Sequence, residues 1–435
     1  MAFAGSAIGL GNIWRFPYMV GQNGGAAFII VYILCCIVIA LPIFLSESVI
    51  GRRSRANTYG AMERLAPGTP WKWLGVLTVV APIVILSYYS VVGGWAVEYL
   101  FDAVTLRFSA LPAEEVPELF GSFISSPWQP VVMHTIFLAM VAGIILGGVK
   151  SGIELFSKLT MPVLFVLIVV LVVYSLSLPG SREGVDYLLR PDWSRLSVRG
   201  VTAAMGQAFF SMSLGIGTIL TYASYVDRRE KLLLSGAGTA LSDLLFALLS
   251  GFAIMPAVFA AGIAPGAGPG LLFETLPFIF NKMGAAQPWI GAAVAIVFFV
   301  TILVAALTSA ISLMEVGVAY LVEEKRLSRT RATLLLFGVA WAIGLLCSLS
   351  FGPLSGVQLL GNGIFDLMDK CCSNFLMPLG GLLLTLFAGW KMSRADVENE
   401  LCGGRGKWWF GPLYFLIRWV APAGIIIIFI TNLVF

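Results

Sequence analysis

The stretch Gly5-Ser-Ala-Ile-Gly-Leu-Gly-Asn-Ile-Trp-Arg-Phe-Pro17 places three glycines, an asparagine, an arginine and a proline inside an otherwise apolar segment. Gly9 and Gly11 each weaken a helix by about 1 kcal/mol relative to alanine, so the spacing predicts a break near Gly9 to Gly11 and a second short helix from about Asn12. The chemistry such a break offers is non-covalent. It frees backbone carbonyls and amides, and in lipid these persist only where protein or a watery cavity satisfies them. The break therefore reads as a binding site. A second interruption, Ser211-Met-Ser-Leu-Gly-Ile-Gly217, cuts another apolar run.

The elements that hold these breaks are set by composition. Of 435 residues, 59% are hydrophobic and 11% charged, with a mean hydropathy of +0.93, the signature of a polytopic membrane protein whose partner is the lipid bilayer. The net charge of +4 is small, and its cations sit in short loops rather than on one face, which excludes a nucleic-acid binder. A single histidine, His134, excludes a site needing two imidazoles, and the six cysteines lack metal-ligand spacing. No phosphate loop or nucleophile elbow occurs. The chain is not expected to be an enzyme or to carry an organic cofactor, and nothing in it sets an oligomeric state.

Apolar runs mark eleven spans, at about 1–20, 27–51, 72–103, 130–149, 153–178, 200–225, 236–262, 287–321, 331–349, 357–390 and 412–434. Arginines and lysines gather in alternate loops: Arg52, Arg53, Arg55 and Arg64; Lys150; Arg228, Arg229 and Lys231; Lys325, Arg326 and Arg329; and Lys391, Arg394, Arg405 and Lys407. These loops are predicted to be cytoplasmic, in a cell (plasma) membrane with the N-terminus inside and the C-terminus outside. Arg182, Arg190, Arg195 and Arg199 lie on the predicted outer side, interleaved with Glu183, Asp186 and Asp192. The interrupted sixth span begins a second set of five. Five is odd, so two such sets insert with opposite orientation, and interrupted first helices at matching positions point to an inverted-repeat transporter. The expected fold is an all-α integral membrane protein of five-plus-five inverted-repeat design with discontinuous first and sixth helices. Residues 1–178 form the first repeat, 200–390 the second, and 412–434 an eleventh span.

The chain resembles the neurotransmitter:sodium symporters, in particular their bacterial eleven-span amino-acid transporters. The residues that carry the resemblance are Gly5 to Pro17, Asn23-Gly-Gly-Ala-Ala-Phe28, Ser213-Leu-Gly-Ile-Gly217, Thr221-Tyr-Ala-Ser-Tyr225 and Leu307-Thr-Ser309. It implies two sodium sites. Sodium is a hard cation that takes oxygen ligands, and unwound carbonyls, hydroxyls and a carboxylate supply them. One site would use the Ala7 carbonyl, Asn12, Ser211, Asp243 and the carboxylate of the bound amino acid. The other would use the carbonyls of Gly5, Ile8 and Ala305 with the hydroxyls of Thr308 and Ser309. Taken alone, that Thr-Ser pair would read as interhelical hydrogen bonding.

The resemblance also implies the substrate. Monoamine members carry an aspartate where this chain has Gly9, and glycine leaves room for a substrate bringing its own carboxylate. Tyr89 and the amides of Gly9, Leu10 and Gly11 would hold that carboxylate at a half-helix N-terminus, with Ala7, Ser211, Ser213 and Ser309 around the amino-acid backbone. Carbonyls at the sixth-span break would accept from the ammonium. Ile85, Phe210, Ile216 and Leu313 would line a side-chain pocket suited to a neutral aliphatic or aromatic amino acid, although each of the four could equally be plain core packing.

Ionisable residues inside spans are costly and functional by default. Arg15 and Asp369 would pair as the outer gate, Phe210 forming the lid beneath them and Lys370 competing for Asp369. Glu47 would accept from amides freed at the sixth-span break, or else be a buried carboxylate satisfied elsewhere; Glu315 has no assigned partner. Asp243 supplies a fixed negative charge where many relatives bind chloride, and Ala247 lacks a hydroxyl that a chloride site would use, so chloride independence is expected. Tyr225 and Glu323 match inner-gate residues. Their usual partners, an arginine and a tryptophan before the first span, do not occur in the four residues preceding Gly5, which suggests a truncated start. Gly152 and Pro162 reproduce a spacing tied in the family to unwinding of the fifth span, the alternative being a static kink. The expected activity is sodium-coupled symport of a neutral, hydrophobic L-amino acid into the cell by alternating access. A non-transporting amino-acid sensor is the alternative, and an ion channel a third reading.

Overall fold

The structure is a computed structural model that describes residues 7–148, 155–262, 265, 272–284, 287–403 and 406–434. Gly5, Lys150, Gly152 and Arg405 lie outside the described residues. Helix dominates, and the described residues contain no β-strand beyond the isolated bridge between Leu359 and Asn362. Nine helices among them are long and apolar enough to cross a membrane. We number the elements that matter here in chain order. Helix α1 starts as the π-helical turn Gly11–Arg15 and continues through Phe16–Gln22. It is followed by α2 (Ala26–Ser54), α3 (Thr58–Leu65), α4 (Lys72–Val104), α5 (Gln129–Leu146) and α6 (Leu155–Ser177). The second half runs α7 (Val198–Ser211), α8 (Thr218–Tyr225), α9 (Leu232–Ala260), α10 (Pro288–Glu323), α11 (Arg329–Leu349), α12 (Ile364–Lys391), α13 (Arg394–Cys402) and α14 (Phe410–Thr431).

The nine long helices match nine of the eleven predicted spans. The first and sixth are missing from that set because both are broken, as their glycines demand. Helix α10 reaches 36 residues, about 54 Å at 1.5 Å per residue, far more than the hydrocarbon core of about 30 Å, so it projects from the bilayer. Pro82 in α4, Pro162 in α6 and Pro256 in α9 sit inside helices, each removing one backbone hydrogen bond.

Packing explains how the breaks are held. Helix α2 runs behind the whole sixth span, its first half against α7 and its second against α8. Helices α4 and α10 lie along each other, and α1 packs on α7 and α9. The core between them includes Ile8, Leu10, Ile13 and Phe16 of the first span with Phe209, Leu214 and Ile216 of the sixth. By contrast, α6 and α11 present Leu159, Val166, Val173, Leu334 and Leu335 outward. In a soluble protein that would be a liability; on a spanning helix it is the lipid-facing surface.

Candidate functional site

The first break falls at Ile8 and Gly9, a residue or two earlier than the glycine spacing predicts. Asn12 closes it locally. Its backbone amide donates to the Gly9 carbonyl at 3.1 Å, and its side-chain oxygen accepts from the Gly9 amide at 3.0 Å. The Leu10 amide donates to the Tyr89 hydroxyl at 3.2 Å. Two of the three amides expected to meet a carboxylate are therefore engaged within the protein, because a buried N–H left unpaired costs about 1–3 kcal/mol. Glycine at position 9 also makes room: a Cβ there would run into the Ser309 hydroxyl.

The other face of Asn12 carries a polar cluster. Its amide nitrogen donates to Ser211 Oγ at 3.0 Å, to the Asp243 carboxylate at 2.8 Å and to the Asp243 carbonyl at 3.2 Å. Ser211 Oγ donates to the same carboxylate at 2.9 Å. Asn12, Ser211 and Asp243 are 0%, 2% and 0% exposed. A buried carboxylate held only by neutral donors keeps an uncompensated negative charge, the charge distribution a small cation neutralises. Ala7 lines a cavity that Ser211 also borders.

A second set of oxygens converges at the start of the break. Thr308 Oγ1 donates to the Ile8 carbonyl at 3.1 Å and the Ala305 carbonyl at 2.8 Å. Three of the five oxygens expected at the second sodium site thus meet across α10 and the first span. Ser309, one residue on, faces the cavity at Gly9.

The sixth-span break is longer. Helix α7 stops at Ser211 and α8 starts at Thr218, and Ser213, Gly215 and Gly217 between them all take positive φ, at 52°, 82° and 74°. The Glu47 carboxylate of α2 accepts from the Gly215 amide at 2.7 Å and the Leu220 amide at 3.4 Å, while Thr218 donates its hydroxyl to the Ser213 carbonyl at 2.9 Å. Of the two roles open to Glu47, the structure shows acceptance from the freed amides. A Cβ on Gly215 would collide with the Met377 carbonyl and the Gly381 amide of α12.

Between the breaks lies a narrow cavity of about 30 Å³, lined by Ala7, Gly9, Gly11, Ile85, Tyr89, Phe210, Ser211, Ser213, Ile216, Ser309, Leu313 and Met377. Of the predicted substrate set, all but Leu10 face it; Leu10 takes part through its amide. Above it opens a vestibule of about 390 Å³ that shares Phe210 and Met377 with it and also contacts Arg15, Arg199, Ser373 and Asn374. Phe210 stands between the two cavities, and the Arg15 guanidinium stacks on its ring at 4.6 Å.

The gates differ in part from expectation. Among the described residues no ion pair within 4.0 Å joins Arg15 to Asp369. Lys370 does not compete for Asp369 either. It donates to Asn362 Oδ1 at 2.5 Å, while Ser373 donates to Asp369, since a helical neighbour points about 100° away around the axis. On the opposite end, the Glu323 carboxylate accepts from the Asn57 amide at 2.8 Å and its side chain at 3.0 Å, and Tyr225 is 42% exposed.

Four participants escape sequence reasoning. Tyr32 donates to Asp243 at 3.4 Å, Gln207 donates to the Gly11 carbonyl at 3.2 Å, Met377 lines both cavities, and Arg329 pairs with the unassigned Glu315 at 2.5 Å. The last had a signal, an arginine opening the next span.

Known proteins resemble the chain over nearly its whole length. The profile of the sodium:neurotransmitter symporter family matches residues 1–117 and 118–435. The chain is 39% identical over 438 residues to an uncharacterized sodium-dependent transporter, YhdH, of Bacillus subtilis (strain 168), covering 99% of this chain and 95% of that one. It is 27% identical over 494 residues to the sodium-dependent serotonin transporter of Drosophila melanogaster, covering 100% and 75%. Among solved structures, the crystal structure of MhsT in complex with L-phenylalanine superposes with a TM-score of 0.92 at 42% identity, over 99% of this chain and 97% of that chain. The chain belongs to the sodium:neurotransmitter symporter family, as a multi-pass membrane protein of all-helical fold related to sodium-dependent transporters.

Proposed function

We propose that the protein imports a neutral, hydrophobic L-amino acid by sodium-coupled symport. The observation that carries this reading is the convergence at the paired breaks of the Asn12–Ser211–Asp243 cluster, the Thr308–Ile8–Ala305 oxygens and an otherwise apolar pocket of Ile85, Phe210, Ile216 and Leu313. The L-phenylalanine bound by MhsT, a relative 42% identical, supports an aromatic or aliphatic side chain.

Two sodium ions would be cargo. One sits among Ala7, Asn12, Ser211 and Asp243 and shares the substrate's carboxylate, which links ion and substrate binding. The other takes the carbonyls of Gly5, Ile8 and Ala305 with Thr308 and Ser309. The substrate carboxylate replaces the internal acceptors of the Gly9 and Leu10 amides, and the side chain displaces Phe210 to enlarge the cavity. Arg15 and Asp369 then draw together over Phe210. One helix bundle rocks against the other to open the site inward, Tyr225 and Glu323 parting on the cytoplasmic side. The protein would lie in the cell membrane with its N-terminus inside and C-terminus outside. The membrane potential contributes about 2.3 kcal/mol per charge per 100 mV.

Asp243 also makes transport independent of chloride, its own charge standing in the sodium neighbourhood. The test is uptake into proteoliposomes of radiolabelled leucine, methionine, tryptophan, phenylalanine, alanine and glutamate, with and without an inward sodium gradient and with chloride replaced by gluconate. Sodium-driven accumulation of a neutral amino acid, unchanged in gluconate, is expected. Binding without accumulation would instead identify a sensor, and loss of uptake in gluconate would overturn the role given to Asp243.

A further inference from the structure

The end of α2 remote from the transport site borders a cavity of about 600 Å³. It is framed by Arg52, Arg53, Arg64, Arg228, Asn399 and Glu400, contributed by α2, α3, the loop before α9 and α13. Arg52 is 4% exposed and fully engaged: Nε meets Glu400 at 2.7 Å, Nη1 donates to the Glu230 carbonyl at 2.6 Å, and Nη2 donates to the Glu400 carbonyl. Arg53 pairs with Asp396 at 2.5 Å and stands 3.9 Å from Glu400. Arg64 donates to the carbonyls of Ser54 and Arg55. Among the described residues, the ion pairs within 4.0 Å include neither Arg64 nor Arg228. Among the described residues the cluster therefore has more guanidiniums than carboxylates, and two of its arginines face one cavity without an acidic partner.

The same membrane face carries Trp73 near the start of α4, Trp390 at the end of α12 and Trp408 just before α14, at 66%, 48% and 90% exposure. Tryptophan concentrates at the headgroup level of a bilayer. Arginine forks match phosphate oxygens, and basic pockets between spanning helices on the cytoplasmic side receive anionic headgroups.

We infer that this cavity is a phosphate-binding site, filled by the headgroup of an anionic inner-leaflet phospholipid or by free phosphate. Arg52 and Glu400 hold its floor by tying α13 to α2, and Arg64 and Arg228 grip the phosphate. The occupant bridges α3, the loop before α9 and α13.

The test counts ligands on the purified full chain by native mass spectrometry, with dioctanoyl phosphatidylglycerol, dioctanoyl phosphatidylcholine or inorganic phosphate as probe. Phosphatidylglycerol is expected to bind saturably and in preference to phosphatidylcholine. The R64Q/R228Q double variant should bind it about 30-fold more weakly, at roughly 1 kcal/mol per arginine. R228Q alone, which leaves the Arg64 bonds in place, should lose about fivefold. Sodium-dependent amino-acid binding in the same samples reports that the variants are folded. Phosphate that binds alone and is weakened about fivefold in R228Q would also support the site, with free phosphate as its source. Equal binding of the two lipids with no phosphate bound, or binding unchanged in the double variant, would overturn the inference.

Discussion

The two helix breaks solve one problem by different means. The first is short and repaired mainly by its own residues, Asn12 bonding Gly9 in both directions and Tyr89 taking the Leu10 amide. The sixth runs from Met212 to Gly217 and depends on a carboxylate from another helix, Glu47, together with three residues at positive φ. In the proposed function the first break exchanges these internal partners for ligands. On that reading the sixth is a fixed wall, its Gly215 and Leu220 amides held by the Glu47 carboxylate.

The sharpest way to break that contrast is Glu47→Ala. It strands the buried Gly215 and Leu220 amides, so it should lower stability by about 3 kcal/mol, read as a fall in the thermal unfolding midpoint in detergent. Glu47→Gln, which keeps an acceptor oxygen, should lose roughly half as much. Asp243→Asn should do the reverse, leaving the midpoint nearly unchanged while raising half-saturating sodium on the order of 100-fold, the loss of one unit charge beside the ion. An equal fall in stability for both variants would erase the distinction between wall and ligand site. Thr308→Val removes one oxygen from the second cluster and should raise half-saturating sodium about tenfold. Tyr89→Phe is the mildest: amino-acid affinity should fall about fivefold, with the sodium dependence preserved, as measured by equilibrium binding.

The contrast also accounts for what the sequence made legible. The first break could be read directly because its cause, Gly9 and Gly11, and its repair, Asn12, lie within one turn of each other. Its position came out slightly early because Asn12 restores helical bonding from Gly11 onward. The nine long spans were readable, most to within a few residues and the tenth starting seven residues later than read, since apolar length is what the bilayer selects. Glu47 could be anticipated as an acceptor because buried amides need one. Side chains meeting only through tertiary packing were not readable. Tyr32 sits in an apolar run with nothing to show that its hydroxyl faces Asp243, and Met377 looks like any other core methionine. Lys370, weighed as a competitor of Arg15 for Asp369, instead bonds Asn362, for a local reason: adjacency in sequence is not adjacency on a helix.

The site's central claim is that sodium and an amino acid bind together at the first break, joined through Asp243 and Asn12. Its most direct test is equilibrium binding of radiolabelled L-phenylalanine to the purified protein as sodium is varied, in the native chain and in Asp243→Asn. Binding is expected to require sodium in the native chain and to shift to far higher sodium in the variant. Binding of equal strength without sodium, or a sodium dependence that Asp243→Asn leaves untouched, would contradict it.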